Sequence, residues 1–112
     1  MGGAVLTYTN DLPAPAREEI DLATVLHALS DPVRLGIVVD LRASGDERRC
    51  GSFDAPVTKS TLTHHFRVLR EAGVISQRQD GTARLSKLRS EDLETRFPGL
   101  LDAVLTAAST SA

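Results

Sequence analysis

The sequence predicts a mainly α domain with one small β-hairpin, an α+β chain ordered helix, helix, short helix, helix, hairpin, helix. Three observations carry that expectation. Apolar residues in several stretches recur at the three- and four-residue spacing of a helix face. Residues 74–88 instead read as two short strands about Asp80-Gly81, a two-residue hairpin signal. Starts and stops fall between the stretches, at Ser30-Asp31-Pro32, Thr58, Gly45 and Gly73.

Taken in order, residues 1–15 hold Gly2, Gly3, Pro13 and Pro15 with little periodicity, so a flexible or irregular arm is expected. The domain proper is expected over residues 16–109. Its first helix covers about residues 16–29, with Ile20, Leu22, Ala23, Leu26 and Leu29 on the apolar face. Ser30 or Asp31 caps the second, and Pro32 suits its first position because the missing N–H is not needed there. That helix runs to about Ala43 with Val33, Leu35, Ile37, Val38 and Leu41 apolar.

Residues 46–56 hold at most a short helical turn, since Gly51 and Pro56 limit its length. Thr58 caps the third long helix, on which Leu62, Phe66, Val68 and Leu69 form a buried stripe before Ala72-Gly73 stops it. Strands follow at 74–79 and 82–88. Leu85 and Leu88 are expected to face inward, and Arg84, Ser86 and Lys87 to be largely exposed. Ser90 opens a last helix with Glu91 and Asp92 in its first turn, where the helix dipole favours acids. Phe97-Pro98-Gly99 interrupts it, and Leu100 to Ala108 resumes it.

This order of elements is a winged helix-turn-helix. At 112 residues the chain is a single domain burying roughly two-thirds of its unfolded surface. Aromatics are only 4%, without Trp, so Leu, Val, Ile and Ala must build the core. No apolar run approaches the ~18 residues that span a membrane. The single cysteine, Cys50, excludes an internal disulfide framework and fits a reducing cytoplasm, the expected location.

The net charge is −2, which alone argues against a polyanionic partner. Its distribution reverses that. Residues 57–89 carry seven basic side chains (Lys59, Arg67, Arg70, Arg78, Arg84, Lys87 and Arg89) against Glu71 and Asp80. Local charge sets which surface meets a polyanion. The first turn of the third helix offers Lys59, Ser60, Thr61, Thr63 and His64, side chains small or polar enough to meet base edges in a major groove. The partner expected from these residues is double-stranded DNA. Arg67 and Arg70 are candidate phosphate contacts, with an intramolecular pair to Glu71 or an upstream acid as the alternative for Arg70. His65 faces a phosphate or the protein body. Arg78, Arg84 and Lys87 would set the wing against backbone or minor groove.

The run Leu29-Ser30-Asp31-Pro32-Val33-Arg34-Leu35 resembles the start of the second helix in ArsR/SmtB-type bacterial regulators. Ser60-Thr-Leu-Thr-His-His-Phe-Arg-Val-Leu-Arg-Glu-Ala-Gly-Val-Ile75 is similar to their recognition helix and first wing strand, and Asp80-Gly81-Thr-Ala-Arg-Leu-Ser-Lys-Leu88 to their wing. The resemblance covers about residues 17–105. It implies a homodimer paired through the first and last helices, a pseudo-palindromic operator, and repression relieved by an inducer whose identity the chain does not reveal.

The chain departs from the metal-sensing members. Those carry a Cys-x-Cys type pair near the first helix of the motif, or Asp/His and His/Glu pairs on the last helix. Here the first location offers only Cys50, and residues 91–112 contain no His or Cys. Zinc and softer metals need three or four N or S ligands in fixed geometry. His64 and His65 are adjacent on a helix and diverge by ~100°, so they cannot both ligate one ion. No metal site and no cofactor are expected. Cys50 is a candidate redox switch beside Arg48 and Arg49, with a half-buried structural residue as the alternative. The chain has no Gly-rich phosphate loop, no His-Glu-x-x-His and no nucleophile elbow, so no enzyme is expected. A winged-helix protein-interaction module is the remaining alternative.

Overall fold

The computed structural model describes residues 11–50, 53 and 56–110. The described residues form five helices, α1 (Leu22–Leu29), α2 (Pro32–Ser44), α3 (Lys59–Glu71), α4 (Ser90–Arg96) and α5 (Leu100–Thr110), and a small sheet that packs against α2 and α3. Its strands are β1 (Arg48–Arg49), β2 (Ile75–Asp80) and β3 (Ala83–Leu88), antiparallel in the order β1-β3-β2. Among the described residues no single helix is long and apolar enough to cross a membrane.

The first helix starts later than its periodicity predicts. Residues Arg17–Glu19 form a single 3-10 turn, Ile20 is extended, and Asp21 caps α1 by accepting from the Thr24 N–H at 3.1 Å. Ile20 keeps its apolar role, buried to 1% exposure, but reaches the core from an extended backbone. The break between α1 and α2 falls at Ser30-Asp31-Pro32. Asp31 accepts from the N–H groups of Val33 (2.9 Å) and Arg34 (3.1 Å), and Pro32 needs no acceptor. The two helices meet there at 99°.

Val25, Ala28 and Leu29 of α1 join Ile37, Val38 and Leu41 of α2, Phe66 and Leu69 of α3, and Leu101 and Leu105 of α5 in one buried cluster. Within the predicted stripe of α3, Phe66 and Leu69 are buried while Leu62 and Val68 are half-buried. The helix ends in a Schellman motif: Val74 N–H reaches the Leu69 carbonyl and Gly73 N–H the Arg70 carbonyl, both at 3.0 Å. That motif requires the left-handed backbone of Gly73, φ +86°.

The sheet contains one strand that the sequence does not announce. Arg48 and Arg49 pair with Ser86 and Leu85 on the outer side of β3. Residues 51–52 and 54–55, where a short helix was expected, lie outside the described residues. Ser86 is a correction: expected largely exposed, it is fully buried. The reason is register. Ser86 stands opposite Gln77, and the inner face of the hairpin also carries Ile75 and Leu88.

Of the arm, residues 11–15 are irregular yet docked. Asp11 bridges to Arg78, Leu12 N–H donates to the Gln77 carbonyl at 2.8 Å, and Arg89 binds the Pro15 carbonyl at 2.7 Å. Residues 1–10 lie outside the described residues.

Two glycine substitutions should have opposite signs. A Cβ on Gly73 would stand 2.7 Å from Ile20 Cγ1 on a positive-φ backbone, so Gly73→Ala should cost about 2–4 kcal/mol. Gly36, exposed inside α2 with nothing within 4 Å of its Cβ position, should gain about 0.5–1 kcal/mol as Ala. Urea unfolding of both variants measures this, and a neutral Gly73→Ala would contradict the packing described.

Candidate nucleic-acid interface

The presented end of α3 is built by its cap. Thr58 Oγ1 accepts from the Thr61 N–H at 3.2 Å, which starts the helix and leaves Lys59, Ser60, Thr61, Thr63 and His64 exposed around its first turns. Thr63 Oγ1 bonds back to the Lys59 carbonyl at 3.0 Å. The N–H groups of this turn add partial positive charge. Behind it, Phe66 meets Phe53 edge-on at 5.2 Å, and the guanidinium of Arg48 lies 4.3 Å over the Phe53 ring. This aromatic layer fixes the helix against the segment before it.

Of the two arginines on α3, Arg67 is exposed and within 3.4 Å of Glu71 one turn on. Arg70 points inward. Its Nη1 donates to Gln77 Oε1 at 2.7 Å and its Nε to the Pro13 carbonyl at 3.1 Å. Its intramolecular partners are therefore an amide and a carbonyl, not an acid. His65, left between phosphate and body, is buried in the body.

Strand parity sorts the cations of the wing. Gln77, Gln79, Arg84 and Ser86 share one face of the hairpin, since Gln77 stands opposite Ser86 and Gln79 opposite Arg84. Arg78 and Lys87 project from the other face. Arg84 donates to Gln79 Oε1 at 3.4 Å and borders, with Lys59, Thr63, Phe66 and Thr82, a cleft of about 670 Å³ between α3 and the wing. Arg78 is held by a bidentate contact to Glu47, at 2.8 and 3.0 Å. Those bonds keep the Glu47 carboxyl below its usual range against the opposing effect of burial. Lys87 is exposed.

Cys50 lines the cleft, half-buried, in a polar network. Gln77 Nε2 donates to Cys50 Sγ at 3.2 Å and to Ser86 Oγ at 3.0 Å, and the thiol and the Ser86 hydroxyl are 3.1 Å apart. Gln77, on β2, thus joins α3, through Arg70, to Ser86 of the central strand and to Cys50 just past β1. Sequence reasoning passed over Gln77, though a polar residue at an inward strand position opposite a small hydroxyl is a readable signal. Among the described residues no group of three or more His, Cys, Asp or Glu side chains could hold a metal ion.

A capped helix with a polar first turn, set against a hairpin across a shared cation-bordered cleft, defines a winged helix-turn-helix DNA-binding protein. Residues 29–78 match the helix-turn-helix domain family. The chain is 38% identical over 82 residues to YceK, an HTH-type transcriptional regulator of Bacillus subtilis (strain 168), across 71% of this chain and 82% of that protein. It is 32% identical over 75 residues to the arsenical resistance operon repressor of Staphylococcus xylosus, across 66% of this chain and 71% of that one. In solved structures, the transcriptional repressor BigR from Xylella fastidiosa superposes with a TM-score of 0.59 at 27% identity, over 83% of this chain and 96% of that chain. The chain belongs to the ArsR/SmtB family of helix-turn-helix transcriptional regulators. Members of this class bind DNA and are not enzymes.

Because Gln77 satisfies three buried or half-buried partners, Gln77→Leu should destabilise the domain by about 1–3 kcal/mol. Chemical denaturation checks it, and a loss below about 0.5 kcal/mol would show that the network does not hold the wing.

Proposed function

We propose that this chain is a homodimeric repressor that binds a pseudo-palindromic operator. The first turn of α3 (Lys59, Ser60, Thr61, Thr63 and His64) meets base edges, and Arg84 and Arg67 meet phosphates. The observation that carries this reading is the cleft, onto which a reading turn and one wing cation open together. Arg78 and Lys87, on the far face of the hairpin, act at most at its rim, and Arg70 serves the fold. Pairing through α1 and α5 is what the family resemblance implies, and Leu22 and Leu26, one helical turn apart and 43% and 44% exposed, support the α1 side of it. A symmetric dimer would place its reading helices about one duplex turn apart, ~34 Å. Such a repressor works in the cytoplasm. Release runs through an inducer other than a metal at the family's usual positions, because residues 91–112 contain no His or Cys.

A second reading, a redox-responsive repressor, is favoured by one observation: Cys50 Sγ accepts from the amide that links α3 to the wing. Oxidation there would alter an acceptor on which the cleft depends.

Operator binding as salt varies tests the assignment. Arg84→Ala should weaken binding and make the salt slope shallower by about one, and Arg78→Ala should leave the slope unchanged. Equal effects for both would sink the orientation of the wing. Leu26→Asp should yield a monomer by sedimentation and weaken operator binding, and a persistent dimer would exclude α1 from the seam.

A further inference from the structure

Arg34 is buried to 8% exposure, and among the described residues no carboxylate is hydrogen-bonded to its guanidinium. Its Nε donates to the Ala28 carbonyl at 2.7 Å and its Nη2 to the His27 carbonyl at 3.4 Å, both in the last turn of α1. Partial negative charge at a helix C-terminus is what makes that burial tolerable. The third branch, Nη1, lies 3.1 Å from Nδ1 of His65 on α3. One side chain of α2 therefore grips both α1, the helix with the exposed apolar face, and the reading helix.

A guanidinium is always a donor. The 3.1 Å contact is a hydrogen bond only if His65 Nδ1 is an unprotonated acceptor, with its proton on Nε2. A proton on Nδ1 would set donor against donor in a buried site. An alternative partner waits nearby: Asp31 Oδ2 is 3.9 Å from the same nitrogen. Hydrogen bonding from the Arg34 N–H first, and attraction to His65 among the further causes, hold Asp31 below its ordinary carboxylate range against the effect of burial. Among the described residues the charged and titratable groups facing His65 are thus Arg34 of α2, Asp31 at its N-cap, and His64, 5.9 Å away, on α3 itself. From α1 come only the two carbonyls that Arg34 binds, and the His27 side chain is exposed.

We propose that Arg34 and His65 are positioning residues for DNA reading: Arg34 locks α3 to the α1–α2 corner while His65 is neutral, and protonation trades Arg34 for Asp31 and releases the helix from its reading pose. The proposal rests on the reading of α3 as the DNA-contacting helix. Operator affinity then falls with acidification, although added positive charge alone would strengthen binding to a polyanion.

Full-length protein is titrated with its selected operator at fixed ionic strength between about pH 8 and about pH 5.5, the range in which imidazoles change charge. Wild type should lose affinity on the order of tenfold. His65→Asn, whose Oδ1 can accept from Arg34 and carries no titrating proton, should bind at pH 8 and lose the fall. His64→Asn, whatever its effect on overall affinity, should keep it. Nitrogen-15 spectra of the free protein give a readout independent of DNA: neutral His65 should be the Nε2–H tautomer, and α3 resonances should move on acidification in wild type but not in His65→Asn. An unchanged affinity across the range, a fall that persists in His65→Asn, or an Nδ1–H tautomer would overturn the proposal. Binding absent at every pH with the α3 shifts intact would overturn the DNA reading instead and leave the partner swap standing.

Discussion

The turn at Gly73 decides how the two halves of the interface meet. Helix α3 and the wing are consecutive in the chain, so their angle is set within the few residues that end one and begin the other. The Schellman hydrogen bonds close α3, the positive φ of Gly73 reverses the chain, and Ala72, Val74 and Ile75 are buried on both sides of the turn. Ile20, arriving from outside α1, fills the space against Gly73 that any other residue's Cβ would claim. The cleft between α3 and the wing, its bordering Arg84 and its Gln77 floor all inherit their positions from this junction.

Much of this architecture is legible in the sequence because local chemistry and tertiary packing agree there. Asp31-Pro32, Thr58, Ala72-Gly73 and Asp80-Gly81 each end or begin an element where the backbone's own requirements demand it. The misses have a common physical origin in long-range contacts. Ile20 fits a helical stripe by spacing, yet Asp21 caps the helix after it, and burial is satisfied equally well from an extended backbone. Arg48 and Arg49 have no apolar alternation to mark a strand, and they become one only because β3 offers a pairing edge. Ser86 reads as an exposed hydroxyl until Gln77 is placed across from it. The wing cations were within reach: a period of two separates Arg84 from Arg78 and Lys87 once the turn fixes the register.

The site shows the same division between what is local and what is not. The polar first turn of α3 follows from composition and a cap. The inward turn of Arg70, toward an amide and a backbone carbonyl far away in sequence, does not. Neither does the burial of His65, which is adjacent to an exposed histidine and differs from it only in azimuth around the helix. Kinship with ArsR/SmtB regulators accounts for the helix-turn-helix scaffold, while residues 91–112 carry no His or Cys.

The docked segment at Asp11 and Leu12 has a consequence for how the molecule keeps to itself. With strands ordered β1-β3-β2, the outer side of β2 is a sheet edge, which left bare would be a ready template for pairing with another chain. Leu12 donates into that edge at the Gln77 carbonyl, and Asp11 bridges at Arg78. At the opposite edge β1 is only two residues long. Docking along one edge and the shortness of the strand at the other limit the backbone with which a second copy of the chain could pair.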